Sequence, residues 1–217
     1  MDWIPAFERE ERRYADGEAR SDATQLVRMG NAAYGAGLAL LMAGRTEEAR
    51  GWLDRASARW RESWETAAPE SWGRPVGALK AELIAGREAE VAELAHWTLE
   101  LGTATAESPI GRYAAALALL ALERWPEARH VAESLRSRED FPADVADALA
   151  TIAAHDVVGY AEAVEAVLDS FETREEYLED VPVADTVLAL QALAAKRGIA
   201  HELGPSPVLP GHVVTPE

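Results

Sequence analysis

The chain has 217 residues, and its 21 basic side chains against 38 acidic ones give a net charge of −17. This acidic excess argues against a nucleic acid or an anionic membrane surface as partner, since both are bound through a basic footprint. The absence of cysteine from the sequence excludes disulfides, thiolate catalysis and cysteine-ligated zinc.

The first part of the chain predicts three helices. Residues 1–20 are charged and weakly patterned, and they predict an N-terminal arm or short helix. A helix capped by Asp22 is expected to reach about residue 43, and its glycines indicate close approach of a neighbouring helix. After a turn at Gly44, an apolar stripe at helical spacing predicts a helix over 47–67. The tryptophans expected in the core on this helix are Trp52, Trp60 and Trp64.

The remainder of the chain repeats the pattern of helix, short turn and helix. Helices are expected over 75–85 and, after a turn at 86–87, up to about residue 101, followed by a hairpin over 108–137 in which Ser108 and Pro109 begin the first helix. Further helices are expected over 142–154, 160–171 and 182–197. The tail from residue 199 contains Pro205, Pro207 and Pro210 and is expected to be extended.

The turns between paired helices share a signature in which an acidic residue is followed by a small or apolar one. The four copies read GRTEEA at 44–49, GREAEV at 86–91, ERWPEA at 123–128 and GYAEA at 159–163. Aligning Ala49, Val91, Ala128 and Ala163 gives intervals of 42, 37 and 35 residues. A period of this length built from helix pairs predicts an α-solenoid, with a non-repetitive helical bundle as the alternative.

The G-R-x-E-E-A and Y-A-E-A turns resemble the tetratricopeptide pattern over residues 34–172. With the repeat, this resemblance implies an all-α fold: a right-handed α-α superhelix of about four to five helical hairpins without a sheet. The expected organisation is an N-terminal arm or short helix over 1–20, a single helical-repeat domain over 21–198 and an extended C-terminal tail over 199–217.

Two further resemblances concern the end of the chain and its composition. The C-terminal stretch, with Leu188, Leu190, Leu193 and the PSPVLP run at 205–210, resembles the close of the immunity protein 49 family of bacterial toxin-antidote systems. This implies an all-helical protein that neutralises a partner by binding it. The acidity and the excess of Arg over Lys are similar to proteins of halophilic archaea, with an ordinary acidic actinobacterial protein as the alternative.

Candidate binding residues lie in one loop and on the first helix of each pair. Trp72 and Arg74 stand at the mouth of a hairpin, and Trp and Arg dominate binding hot spots. First helices line the concave face of a solenoid, so their polar residues predict a groove for an acidic peptide or helix. These groove candidates are Tyr34, Lys80, Arg112 and Tyr113. The alternative is that these side chains satisfy loop carbonyls and form ion pairs between repeats, with Trp72 pinning its loop to the core.

The sequence carries no motif for catalysis, a cofactor or a metal. No two of the five histidines stand four residues apart on one helix, and a phosphate-binding glycine loop with its lysine is absent. The acidic run over 172–180 lacks the spacing of a calcium loop, and we interpret it as a solvated face. We therefore predict no catalytic residue, no metal site and no cofactor.

These features together predict a cytoplasmic, non-enzymatic scaffold that binds a protein or peptide. The N-terminus lacks the apolar region of a signal peptide, and the longest uncharged stretch, 31–44, is shorter than the ~18 residues of a membrane span. The alternatives are a toxin-neutralising immunity protein and a small-ligand-binding or enzymatic protein with a helical pocket. A homodimer through the C-terminal helix is a further expectation, because its apolar residues exceed what one flank buries. Those residues are Val187, Leu188, Leu190 and Leu193.

Overall fold

The computed structural model describes residues 2–20 and 24–211, and within these ranges it contains ten α-helices, three short 3₁₀ turns and no strand. The predicted all-α class is confirmed. The helices are α1 Ile4–Arg20, α2 Gln25–Met42, α3 Thr46–Ser63, α4 Gly73–Ala85, α5 Glu88–Glu100, α6 Pro109–Ala121, α7 Trp125–Arg136, α8 Ala143–Ala154, α9 Val157–Glu172 and α10 Asp185–Lys196. The predicted cap at Asp22 and the tail beyond residue 211 lie outside the described residues.

Helices α2 to α9 form four consecutive hairpins, joined by turns with one repeated geometry. A residue at the end of each first helix, one or two positions beyond its last helical residue, has a positive φ: Gly44 (+74°), Gly86 (+70°), Glu123 (+58°) and His155 (+58°). The next residue donates its amide to a carbonyl five positions earlier, as in Arg45 N to Leu40 O at 2.9 Å and Asp156 N to Thr151 O at 2.9 Å. This pair of features is the Schellman ending of a helix, which satisfies carbonyls left free by the last turn.

The turn geometry corrects the sequence alignment of the fourth repeat. The equivalents of Gly44 are Gly86, Glu123 and His155, so the fifth residue after the last turn is Tyr160 rather than the predicted Ala163. Tyr160 is fully buried, as is Ala49 at the matching position of the first hairpin. The fourth copy was misaligned because the alignment took Gly159 as the turn residue, whereas Gly159 lies inside α9 and the positive φ belongs to His155.

Glycines mark the closest helix contacts, as the sequence predicts. A methyl group added at Gly30 of α2 or at Gly77 of α4 would lie 2.8 Å from the Trp60 indole of α3. Trp60 is 4% exposed, and its Nε1 donates to Asn31 Oδ1 at 3.0 Å. Trp60 therefore joins the first two hairpins, while Trp52 and Trp64, also expected in the core, are only half-buried.

The last helix lies against the first helices of the hairpins. After α9, residues 173–184 carry the chain back to α1 and α2, where Arg9 Nη2 donates to the Glu179 carbonyl at 2.7 Å. Helix α10 then contacts α4, α6, α8 and α9. In the middle of α10, the Gln191 Oε1 atom accepts a hydrogen bond from the Tyr160 hydroxyl of α9 at 2.7 Å. The chain thus covers with its own C-terminal helix much of the face that the sequence predicts as an open groove.

The position of α10 accounts for its apolar residues. Val187, Leu190 and Leu193 are fully buried, and Leu188 is half-buried. The apolar excess that suggested a homodimer is therefore covered within the chain, and dimerisation stays a prediction. The tail continues this packing, because Val208 and Leu209 are buried and the Ala184 amide donates to the Val208 carbonyl at 2.8 Å.

Candidate functional site

One end of the face contains a pocket of about 590 Å³. Its walls come from α2, α3, α4, the residues before α4 and the start of α6, and its rim includes Leu178 and Asp185. The lining residues are Val27, Tyr34, Trp60, Glu70, Ser71, Trp72, Gly73, Arg74, Val76, Gly77, Lys80, Ser108, Ile110, Leu178 and Asp185. Seven of the fifteen lining residues are aromatic or aliphatic. Lys80 and Asp185 form a polar end, and the other polar wall residues are Glu70, Ser71, Arg74 and Ser108.

Trp72 is positioned by the turn that begins α4. Glu70 has a φ of +63°, and the Trp72 amide donates to its carbonyl at 2.6 Å. The Trp72 ring packs on Trp64 with centroids 5.5 Å apart. Gly111 allows this position, because a methyl group there would lie 3.2 Å from Trp72 Nε1. That indole nitrogen is buried without a hydrogen-bond partner among the described residues.

The polar end of the pocket is a buried cluster around the Asp185 carboxylate. Lys80 Nζ donates to Asp185 Oδ2 at 2.6 Å and to Thr186 Oγ1 at 3.0 Å. Tyr34 OH donates to the same Asp185 oxygen at 2.9 Å. Burial, reinforced by the negative charge of Asp185, raises the pKa of Tyr34 well above its ordinary value. At neutral pH the Tyr34 phenol is therefore protonated and donates to the Asp185 carboxylate.

Tyr113 lies beside this cluster but is not part of the pocket wall. Its ring is buried against Phe141, with centroids 5.5 Å apart. Burial, and then the charge of Asp185, raises the pKa of Tyr113 above its ordinary value. Its hydroxyl lacks a well-formed hydrogen bond within the described part of the chain. The Tyr113 hydroxyl is thus protonated and buried near Asp185, outside the pocket wall.

The two candidate arginines have different surroundings. Arg74 lines the pocket, donates to the Ser63 carbonyl, and has no carboxylate partner within residues 2–20 and 24–211. Burial lowers the pKa of its guanidinium. Arg112 instead donates to the Ala106 carbonyl at 2.9 Å, so it supports the loop before α6 and is not part of the pocket wall.

Four of the six predicted binding residues, Tyr34, Trp72, Arg74 and Lys80, therefore line one pocket. The sequence analysis missed Asp185, Ile110 and Leu178. One signal pointed to Asp185: Lys80 is one of only two lysines and falls in an apolar helix, and a buried charge requires a partner. Ile110 and Leu178 carried no such signal, because their place at the rim depends on how the hairpins and α10 meet.

The described residues give no support for a metal site or a membrane span. The described residues hold no group of three or more His, Asp or Glu side chains placed to bind a metal ion. Among the helices of the described ranges, none is long and apolar enough to cross a membrane. No family model, curated protein or solved structure matches the chain, so the tetratricopeptide and immunity-protein resemblances stay predictions.

Proposed function

We propose that the chain is a non-enzymatic helical-repeat scaffold that binds a segment of a protein partner in this pocket. The observation that carries the proposal is the apolar rim. Ile110 is 41% exposed and Leu178 is 47% exposed, and they are two of the four large apolar side chains exposed in the described part of the chain. Apolar side chains concentrated beside a cavity are typical of an interaction site.

The lining favours an apolar anchor with an acidic neighbour. Tyr34, Trp60 and Trp72 supply flat aromatic walls, which bury large area at low entropic cost. Arg74 offers a guanidinium that no described carboxylate neutralises, although the protein carries 38 acidic residues. A peptide that inserts a large aliphatic or aromatic side chain and places a carboxylate near Arg74 fits both features.

The fold proposal is a tetratricopeptide-like, right-handed superhelix. It is supported by four consecutive hairpins that each have a residue in the left-handed conformation at the turn, followed by the same backbone hydrogen bond. Equivalent turns in successive hairpins favour a regular rotation from one hairpin to the next, as in α-solenoids. Small-angle scattering tests the proposal, since a spherical bundle would scatter with a smaller radius of gyration than the stacked hairpins.

The binding proposal is tested by selecting peptides from a displayed random library on the purified protein. We expect an enriched motif with one large apolar residue and an acidic neighbour. Ile110→Asp should weaken binding of the selected peptides about tenfold or more, because it removes apolar rim contact and adds a repelling charge. The matched control is Val158→Asp, a comparable replacement of a β-branched apolar residue by Asp at a site that is 69% exposed on α9. Equal loss in both variants, or no enriched motif, would contradict the proposal.

A small-molecule ligand is the second candidate, and the cluster around Asp185 favours it. A cavity of a few hundred cubic ångströms with a few converging polar groups is typical of ligand sites, and Lys80, Tyr34 and Asp185 provide those groups. A thermal-shift screen of small carboxylic acids and amines tests this candidate. It predicts a shift in the wild-type protein that Tyr34→Phe reduces, because the phenol would no longer bond to the ligand or orient Asp185.

A further inference from the structure

We propose that residues 173–180 form a lid over the pocket, held closed by a salt-bridge latch between Glu179 and α1; this regulation rests on the proposed function of the pocket. The lid belongs to the segment that returns from α9 to the start of α10. Its first residues are exposed, while Leu178 lines the pocket. After the lid, Val181 and Val183 are buried, which fixes the end that leads into α10.

The latch is built around a buried carboxylate of α1. Glu10 is fully buried and pairs with Arg9 Nε at 2.7 Å and with Arg13 Nη1 at 2.7 Å. Those two arginines reach the lid, since Arg9 Nη2 donates to the Glu179 carbonyl at 2.7 Å and Arg13 pairs with the Glu179 carboxylate. Glu10 thus orients both arginines toward a single lid residue, Glu179. The Glu179 side chain supplies the ion pair between the lid and α1.

The lid backbone is held in an unfavourable conformation. Glu179 and Asp180 have φ values of +56° and +53°, which residues other than glycine rarely adopt, least of all in succession. Such strain persists only where the surrounding contacts hold it. Loss of the latch therefore removes the contact that opposes relaxation of these two residues, and the lid is expected to open.

A close contact with α2 completes the closed state. A methyl group added at Gly35 would lie 3.2 Å from Glu179 Cβ and 3.1 Å from Glu10 Cγ. Gly35 therefore allows the lid, α1 and α2 to meet at one point. Replacing it by alanine should push the lid outward without changing any charge, which provides a second and independent way to open it.

The lid can be tested without knowing the ligand, because the chain has no cysteine of its own. Val76→Cys places a single thiol in the pocket wall, and its reaction rate with N-ethylmaleimide, a neutral reagent, reports access. We expect Glu179→Gln to raise this rate about tenfold. The reason is that a half-buried ion pair stabilises a contact more than an exposed pair and less than a fully buried one. Gly35→Ala should change the rate in the same direction.

The matched control is Glu176→Gln, which removes the same charge from an exposed lid residue that makes no ion pair with the described residues. The protein that carries Val76→Cys and Glu176→Gln should react with N-ethylmaleimide at the same rate as the protein that carries Val76→Cys alone. Unchanged rates in both Glu179→Gln and Gly35→Ala, or equal increases in Glu179→Gln and the control, would overturn the lid proposal.

Hydrogen exchange on the unaltered full chain keeps the test valid if a variant fails to fold. Raising the salt concentration screens the partly exposed latch, so amides of the lid should exchange faster while those of α10 do not; equal behaviour would overturn the proposal. Failure of the lid and of the binding function are distinguishable. Faster labelling without any selected peptide refutes only the function, and selected peptides without any labelling response refute only the lid.

Discussion

Replacement of Glu82 by glutamine should remove a pH-dependent penalty on folding. Glu82 lies on α4, is 4% exposed and has an oxygen without a described hydrogen-bond partner. Burial, together with the charges of Asp54 and Glu90, raises the pKa of Glu82 from 4.5 to about 7 even though a hydrogen bond from Ser57 lowers it. Asp54 itself pairs with Arg87 at 2.7 Å, so Arg87 does not compensate Glu82 directly.

The sign and size of the effect follow from proton linkage. The folded protein binds the Glu82 proton more tightly than the unfolded chain, so this contribution to stability is fully present below about pH 4.5 and is lost as the pH rises through about 7. At 1.36 kcal/mol per pKa unit, the difference between 4.5 and about 7 corresponds to about 3 kcal/mol. Glutamine resembles the protonated acid and cannot ionise, so Glu82→Gln should gain about this much stability relative to wild type between pH 5 and pH 8.

Urea unfolding at constant salt, followed by circular dichroism at several pH values, measures the effect. The difference in unfolding free energy between variant and wild type should grow from about pH 5 to about pH 7 and then level off. Glu107→Gln, at an exposed loop residue, is the control and should show a difference independent of pH. If the difference in unfolding free energy between Glu82→Gln and wild type were the same at pH 5 and pH 8, the reasoning would be refuted. That result would mean that Glu82 has the same pKa in the folded and unfolded states.

Three further predictions concern the turns, the buried ion pair and the net charge. Glu123→Gly should stabilise the protein by about 0.5–1 kcal/mol, since glycine relieves a left-handed turn residue; destabilisation in urea unfolding would contradict the turn assignment. Lys80→Met should cost about 1–3 kcal/mol by leaving the mostly buried Asp185 carboxylate without its cation, and Lys80→Met with Asp185→Asn should recover part of that loss; no recovery would argue against the pair. If the chain is salt-adapted, its charge of −17 should make helicity and thermal stability rise from ~0.1 M to molar salt; equal heat stability throughout would refute that interpretation.

The local elements of the fold could be predicted from the sequence because their signals are local. Pro109 begins α6, and glycines end α2 and α4. The fourth repeat was misplaced because Gly159 resembles a turn glycine but lies inside α9, while the turn residue with positive φ is His155. The position of α10 could not be predicted, since its contacts join residues more than one hundred positions apart, as in Lys80 with Asp185.

The candidate site shows the same limit. Trp72 and Arg74 stood out because Trp and Arg dominate binding surfaces, and the structure places both in the pocket wall. Arg112 is also an arginine near the start of a first helix, but it donates a hydrogen bond to the Ala106 carbonyl. Bonding to a loop carbonyl is the alternative role that the sequence left open. The choice between the two roles depends on whether a loop carbonyl lies within reach, and that distance is set only when the hairpins pack.

Affinity capture with three versions of the protein tests pocket-dependent binding most directly. Wild type, Ile110→Asp and Val158→Asp would be used as baits in lysate from cells that express the chain naturally, with bound proteins quantified by mass spectrometry. We predict one stoichiometric partner that wild type and Val158→Asp retain equally and that Ile110→Asp loses about tenfold or more. Recovery of the same proteins in the same amounts by all three baits would contradict binding through the pocket.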